Sequence, residues 1–363
     1  MSTLTTNYLT PTGREEAWRF TPLNRIAGLH DLGTEVRETL SLVAKSGLPT
    51  GVTFTSVAAA DLVPVSLTND IVVSRIRDSV ATVALLHIGA DVEVAEPITL
   101  SRVDSGTQPQ LSRTVIKAGA HSKSTVVVEN TGSAILGEEI EIILEPGASL
   151  TFITLQEWAP DAIHVGRHHA VIGRDASFTS FVVTIGGSVV RLLPTVEYAG
   201  PGSSAELNGI YFATDGQHFE HRVHVDHNVG HAKSRVNYKG ALSGDKAHTV
   251  WIGDVYIHAN AEGTDTYELN RNLLLSDGAR ADSVPNLEIE TGEIVGAGHA
   301  STTGRFDDEQ LFYLESRGIP AELARKLVIR GFFTEILGRL HLPEIEERLM
   351  QTIDANLESA DHN

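Results

Sequence analysis

Gly147-Ala148-Ser149-Leu150-Thr151-Phe152-Ile153-Thr154 is followed, 28 residues on, by Asp175-Ala176-Ser177-Phe178-Thr179-Ser180-Phe181-Val182-Val183. In each, a pair of small or turn-forming residues leads into a run rich in β-branched and aromatic side chains, which reads as a turn entering a strand. The same unit recurs along the middle of the chain. Pairs stand at Gly119-Ala120, Gly147-Ala148, Asp175-Ala176, Gly202-Ser203 and His231-Ala232, and Thr125-Val126-Val127-Val128 follows the first. Lys246-Ala247 and Gly278-Ala279 continue the series out of phase, and the 15-residue step to Lys246 suits a half turn. A unit of this length holds two or three short strands and no helix. It cannot bury its own apolar face, so the units must stack. The expectation is a parallel β-helix over residues 81–305, with a β-sandwich as the less regular rival.

The flanking segments differ. Residues 1–80 read as mixed and partly helical, with Glu35-Val36-Arg37-Glu38-Thr39-Leu40-Ser41-Leu42-Val43 a short helix ended by Gly47 and Pro49. Residues 306–363 read as helices. Asp307 with Gln310 forms a capping-box pattern before Leu311, Phe312 and Leu314, and Gly318 stops that helix. Pro320 opens a second helix carrying Leu323, Leu327, Phe332, Ile336 and Leu340, and Pro343 opens a third with Ile345, Leu349, Ile353 and Leu357. These helices are expected to pack on the solenoid and to cap an open end.

Composition narrows the function. The 363 residues are 41% hydrophobic and 6% aromatic with 32 Gly, which suits a turn-rich β protein with a sizeable core. The formal charge of −19 repels phosphate backbones, so no nucleic-acid partner is expected. The chain has no cysteine, hence no disulfide, thiolate ligand or thiol nucleophile of its own. Met1-Ser2-Thr3-Leu4-Thr5-Thr6 lacks the basic and apolar regions of a signal peptide. No apolar run approaches the ~20 residues that span a bilayer. A cytoplasmic protein without a membrane partner is expected.

Common catalytic signatures are absent: no Walker loop, no H-E-x-x-H, no G-x-S-x-G. Gly296-Ala297-Gly298-His299 lacks the third glycine of a dinucleotide loop. Sixteen histidines include His218, His221, His224, His227 and His231, and a second group of His164, His168 and His169. Val223 and Val225 alternate with His224 and Asp226, which favours a strand, and the simplest reading places these histidines on a solvated face. A metal site is the alternative. Glu288 and Glu290 alternate with Leu287 and Ile289 as on a half-buried strand.

Specific strings then resemble the SufB/SufD family of iron–sulfur cluster assembly scaffolds. They are Arg305-Phe306-Asp307-Asp308-Glu309-Gln310-Leu311-Phe312-Tyr313-Leu314-Glu315-Ser316-Arg317-Gly318-Ile319, Asn272-Leu273-Leu274-Leu275-Ser276, Pro285-Asn286-Leu287-Glu288-Ile289, Asp226-His227 and Tyr238-Lys239-Gly240. Glu16-Ala17-Trp18-Arg19-Phe20-Thr21-Pro22-Leu23 looks like the SufD version of the N-terminus, and the short, cysteine-free chain points the same way. The resemblance implies a right-handed parallel β-helix with helical ends and no catalytic residue. It implies pairing with a SufB-like chain, docking of a SufC-like ATPase on the C-terminal helices, and a transient iron–sulfur cluster at the SufB–SufD interface. ATP would be hydrolysed on that partner, and no cofactor would stay bound to this chain alone. Where the family often has Cys-Ser-His-Gly-Ala-Thr, this chain has Ala297-Gly298-His299-Ala300-Ser301-Thr302, which leaves His299 as the candidate iron or cluster ligand. Phe332, Phe333 and Ile336 are the candidate ATPase dock, or core. The rival readings are a β-helical polysaccharide hydrolase or lyase and a histidine-rich, iron-binding homodimer; a homodimer is also open to the scaffold when alone.

Overall fold

The computed structural model describes residues 9–40, 42–63, 66, 68–103, 106–305 and 308–361. In chain order the strands are β1 (Arg37–Glu38), β2 (Val43–Ala44), β3 (Val52–Ala58), β4 (Thr82–Ile88), β5 (Ile98–Val103), β6 (Gly106–Ala118), β7 (Lys123–Gly132), β8 (Ala134–Leu144), β9 (Ser149–Trp158) and β10 (Ile163–Ile172). They continue as β11 (Ser177–Thr184), β12 (Val189–Tyr198), β13 (Ser204–Ala213), β14 (His218–His227), β15 (Lys233–Leu242), β16 (His248–Ile257), β17 (Asp265–Leu274), β18 (Arg280–Ile289) and β19 (Gly296–Arg305). The even-numbered strands from β4 to β18 form one parallel sheet and the odd-numbered strands from β5 to β19 a second. Together they make a parallel β-solenoid of about eight turns.

The repeat seen in the sequence is the corner entering the second sheet. His121, Gly147, Asp175, Gly202, His231 and Gly263 stack there with φ between 54° and 77°, each followed by a small residue buried in the interior. Strand register pairs Lys123 with Ser149, so the corner of that turn is His121-Ser122, two residues beyond the expected Gly119-Ala120. Lys246-Ala247 and Gly278-Ala279 lie at the opposite corner, ahead of β16 and β18, which is the half-turn offset that their spacing suggested.

Residues 35–40, 42 and 43 are not helical. Arg37 and Glu38 extend along β6, and Val43 and Ala44 pair antiparallel with β5. Sheet hydrogen bonds supplied by neighbouring turns outweigh the weak helix propensity of a stretch with three β-branched residues. A helix does form further on, α1 (Ile71–Ser79), capped by Asp70, whose carboxylate accepts from the amides of Val72 and Val73 at 2.9 and 3.2 Å. It packs with Trp18, Ile26 and Leu29 on the outer face of the first sheet, against Leu111, Val165 and Val189. The Arg191 guanidinium lies 3.9 Å from the Trp18 ring centroid and bonds Asp70 at 2.9 Å, which ties the N-terminal segment to the solenoid.

The C-terminal helices are α2 (Asp308–Ser316), α3 (Ala321–Leu337) and α4 (Pro343–Asp361). Gly318, at φ 84°, ends the first of these, while the expected Asp307 cap lies outside the described residues. Pro320 precedes α3 as its cap, and Pro343 is the first residue of α4. Ile329, Phe333, Ile336, Leu349, Ile353 and Leu357 pack on Val127, Ile153, Phe181, Ile210 and Phe212, which face outward from the second sheet. The helices therefore lie along that sheet, and among the described residues β18 and β19 at the solenoid end are left without a buried residue.

Reciprocal packing explains Tyr238-Lys239-Gly240. Tyr238 pairs in register with Gly209, and Gly240 with Tyr211, so each ring covers the other strand's glycine. Lys239 points outward and donates to the Phe332 carbonyl and the Glu335 carboxylate at 3.0 and 2.8 Å, anchoring α3. A Cβ on Gly240 would fall within the Tyr211 ring. Gly240→Ala should therefore destabilise the protein by about 3 kcal/mol in denaturant unfolding, against less than about 1 kcal/mol when introduced into Tyr211→Leu.

Candidate functional site

The solenoid interior is unusual in carrying a polar file through an apolar core. On the second sheet, Arg102, Asn130, Gln156, Thr184 and Tyr211 occupy one register column, which continues through Gly240 to Asn272 and Thr303. The first sheet answers it across the core. Arg102 bonds Glu138 at 2.5 Å, Gln156 bonds His164 at 2.8 Å, and Thr184 bonds His221 at 2.9 Å. Arg102, Glu138, His164 and His221 are fully buried. Burial works to raise the Glu138 carboxyl, but Arg102 and His164 together hold it well below the usual range. Burial pushes the His168 imidazole down to about 4 and that of His221 to about 3.

The histidine groups therefore divide in an order the sequence reading did not anticipate. His164, His168, His221 and His227 face the interior, His169, His218 and His224 face outward, and His231 is a corner residue. The solvated-face expectation fails for His164, His168, His169, His218, His221 and His227, each at most 3% exposed. Inner His227 stacks on Tyr198 at 4.9 Å and bonds Ser234 at 2.9 Å. Outer Asp226 bonds His258 at 2.6 Å. Among the described residues no three of His, Asp and Glu converge on one point fit for a metal ion. Glu288 lies on the wet outer face while Leu287 packs on the interior core.

The polar file emerges at the terminal rung. Tyr211 Oη donates to Asn272 Oδ1 at 2.6 Å, and Asn270 Nδ2 donates to Tyr211 Oη at 2.9 Å. Ser283 Oγ donates to Asn270 Oδ1 at 2.7 Å, and Asn272 Nδ2 reaches Thr303 Oγ1 at 3.3 Å. His299 lies on β19, exposed, on the same inner face as Ala297, Ser301 and Thr303. Its register partner is Glu268, which is 1% exposed and whose two carboxyl oxygens have no hydrogen-bond partner. Burial, with Asp254 nearby, pushes Glu268 up to about 8.

β18 and β19 each hydrogen-bond to one neighbouring strand of their sheet, and neither has a buried residue. Leu287, Ile294 and Ala297, which pack on the end of the core, are only partly covered. The outward positions of β19 are Gly296, Gly298, Ala300, Thr302 and Gly304. The β19 edge has no Lys, Pro or bulge of the kind that normally blocks pairing with another chain, whereas β18 carries Pro285, which lacks an amide donor.

Of the docking candidates, Phe333 and Ile336 are fully buried against the solenoid and Phe332 partly so, which is the core alternative of their reading rather than the dock. Among the described residues, the exposed large apolar side chains of this region are Phe312 at 71%, Tyr313 at 57%, Leu323 at 49% and Leu327 at 44%, on α2 and α3. The sequence put Leu323, Leu327, Phe332, Ile336 and Leu340 in one helical series, and the docked helix splits it, with Ile336 and Leu340 buried and Leu323 and Leu327 exposed.

A family profile described as "SUF system FeS cluster assembly, SufBD core domain" matches residues 101–332. An iron-sulfur cluster assembly SufBD family protein of Mycobacterium leprae is 47% identical over 362 residues, covering 96% of this chain and 90% of that one. A protein of the same description from Mycobacterium tuberculosis is 46% identical over 357 residues, with 96% and 89% covered. Iron-sulfur cluster assembly protein SufD of Escherichia coli is 27% identical over 272 residues, with 72% and 64% covered.

Proposed function

The chain belongs to the SufBD family of iron–sulfur cluster assembly proteins, and on that premise we propose that it is the SufD-type, non-catalytic subunit of a cytoplasmic scaffold. The observation that carries this reading is the open terminal rung. Two strands with free edges and a partly uncovered core end present His299 where a second solenoid would join by strand pairing. A SufB-like partner would supply the thiolates that this cysteine-free chain lacks, and the nascent cluster would be cargo held between the two. A neutral imidazole is a suitable iron ligand beside thiolates.

In this reading the three segments have separate tasks. Residues 1–80 brace the solenoid, 81–305 build the joining surface, and 306–363 carry the SufC-like ATPase. The exposed Phe312, Tyr313, Leu323 and Leu327 form the dock, with nucleotide bound by the ATPase alone. The histidines that suggested an iron-binding homodimer are dispersed over inner face, outer face and corner, which favours the scaffold over that rival.

Anaerobic affinity purification of the tagged chain from its own cells should recover a cysteine-containing relative and a Walker-type ATPase in stable ratio. His299→Ala should leave that complex intact and lower its cluster yield about tenfold or more, the scale on which metal sites respond to lost ligand support. Unchanged yield would remove His299 from the role, and recovery of the chain alone would defeat the scaffold reading.

A further inference from the structure

We propose that Glu268 is a second ligand at the open end, so that one divalent iron ion is held jointly by its carboxylate and the His299 imidazole. This rests on the reading of His299 as an iron ligand and adds a residue to which the sequence comparison gave no role.

Glu268 is 1% exposed, yet neither carboxyl oxygen has a hydrogen-bond partner and no basic side chain among the described residues pairs with it. A buried carboxyl left in this condition is costly and calls for a missing partner. The other buried carboxylates of the interior and outer sheet face are met. Glu138 has Arg102 and His164, and Glu220 has Arg191 and Thr21. Glu268 alone faces the terminal rung, and its register neighbour there is His299 on the same inner face. Adjacent strands stand about 4.8 Å apart. Side chains leaving register-paired positions on one face can bring their donor atoms closer than that, within reach of two metal–ligand bonds of about 2.1 Å.

The facing strand makes room for the carboxyl. Opposite Glu268 stands Gly253, and a Cβ there would lie 2.8 Å from Glu268 Oε1, in space that the carboxyl now fills. The Trp251 indole borders the same point at 2.5 Å, and its Nε1 also has no partner. One hard carboxylate and one borderline imidazole make an incomplete donor set suited to ferrous iron, with the remaining positions open to a partner's thiolates. Two ligands bind weakly on their own, which suits an ion that must be handed on.

Trp251 provides a local reporter. The full chain is titrated with Co2+ as a stand-in for ferrous iron, and quenching of tryptophan fluorescence is read. Wild type should show saturable quenching. Glu268→Gln, which keeps the shape, should raise the half-saturating Co2+ at least about tenfold, and His299→Ala should do likewise. Glu268→Asp, which shortens the reach by one methylene, should fall between and serves if the glutamine variant does not fold. Binding by Glu268→Gln equal to wild type, with loss in His299→Ala, overturns the proposal and leaves His299 standing. Loss in Glu268→Gln with none in His299→Ala overturns the shared site and the reading it rests on. Quenching that is absent, or indifferent to both substitutions, overturns it as well.

Discussion

Arg102→Met should destabilise the solenoid by about 3–5 kcal/mol, the usual cost of removing one partner from a buried ion pair. Arg102 and Glu138 are both fully buried, 2.5 Å apart, and Arg102 also donates to Asn130 Oδ1 at 2.6 Å. Without the guanidinium, the Glu138 carboxylate keeps only its contact with His164 at 3.3 Å, and Asn130 loses its donor. Against a typical total stability of about 5–15 kcal/mol, this loss is large enough to be plain in a urea or guanidinium transition. The double variant Arg102→Met, Glu138→Gln should recover most of it, because no unpaired charge then remains. A single-variant cost below about 1 kcal/mol would mean that water reaches the pair and that the seam is not a sealed interior network.

Acid should destabilise the protein through the same seam, with the main loss between pH 6.5 and 4. Burial lowers His168 to about 4, His221 to about 3 and His227 to about 4, all beneath the unfolded value of about 6.5. For a histidine lowered on folding, the unfolded chain takes up the proton first. The contribution to stability is complete above pH 6.5 and is lost as pH falls towards the folded value. Each such group removes about 1.4 kcal/mol per pH unit, so by pH 5 the three together remove about 6 kcal/mol. Glu268, raised to about 8, has the opposite sign and restores about 2 kcal/mol over the same interval. Glu157 and Glu197, also raised by burial, act in the same sense as Glu268.

The difference between wild type and His168→Met isolates one histidine from these opposing groups. Neither ring nitrogen of His168 has a hydrogen-bond partner, and its ring meets Phe152 edge-on at 5.5 Å, so methionine fits the site. The variant's stability should fall less steeply by about 1.4 kcal/mol per pH unit between pH 6 and 4.5, measured by denaturant titration at each pH. Parallel slopes would show that His168 is protonated in the folded protein.

Both predictions concern residues whose surroundings were hidden in the sequence. Alternation on β14 identified a strand correctly, but alternation alone does not say which parity faces inward. The usual guide is that polar residues face water, and it fails here because the interior carries its own polar partners from the facing sheet. His221 and His164 were therefore assigned to a wet surface, although each bonds a residue of the opposite sheet inside the core. The same limit applied to α3, where Leu327 and Ile336 were read in one series and only the docked helix reveals that the first is exposed and the second buried.

The sequence by itself determined the solenoid, because stacked turns demand the same corner chemistry at each repeat, and that demand leaves a period any single chain displays. It determined the starts of α3 and α4 as well, since proline acts through local backbone geometry. It also singled out His299, through a resemblance carried by neighbouring strings. Only the tertiary structure decided that the helices lie along the sheet, that the last rung is open, and that Glu268 stands unpartnered beside His299. Those are properties of register and of packing, set by residues dozens of positions apart, and no local pattern in the chain encodes them.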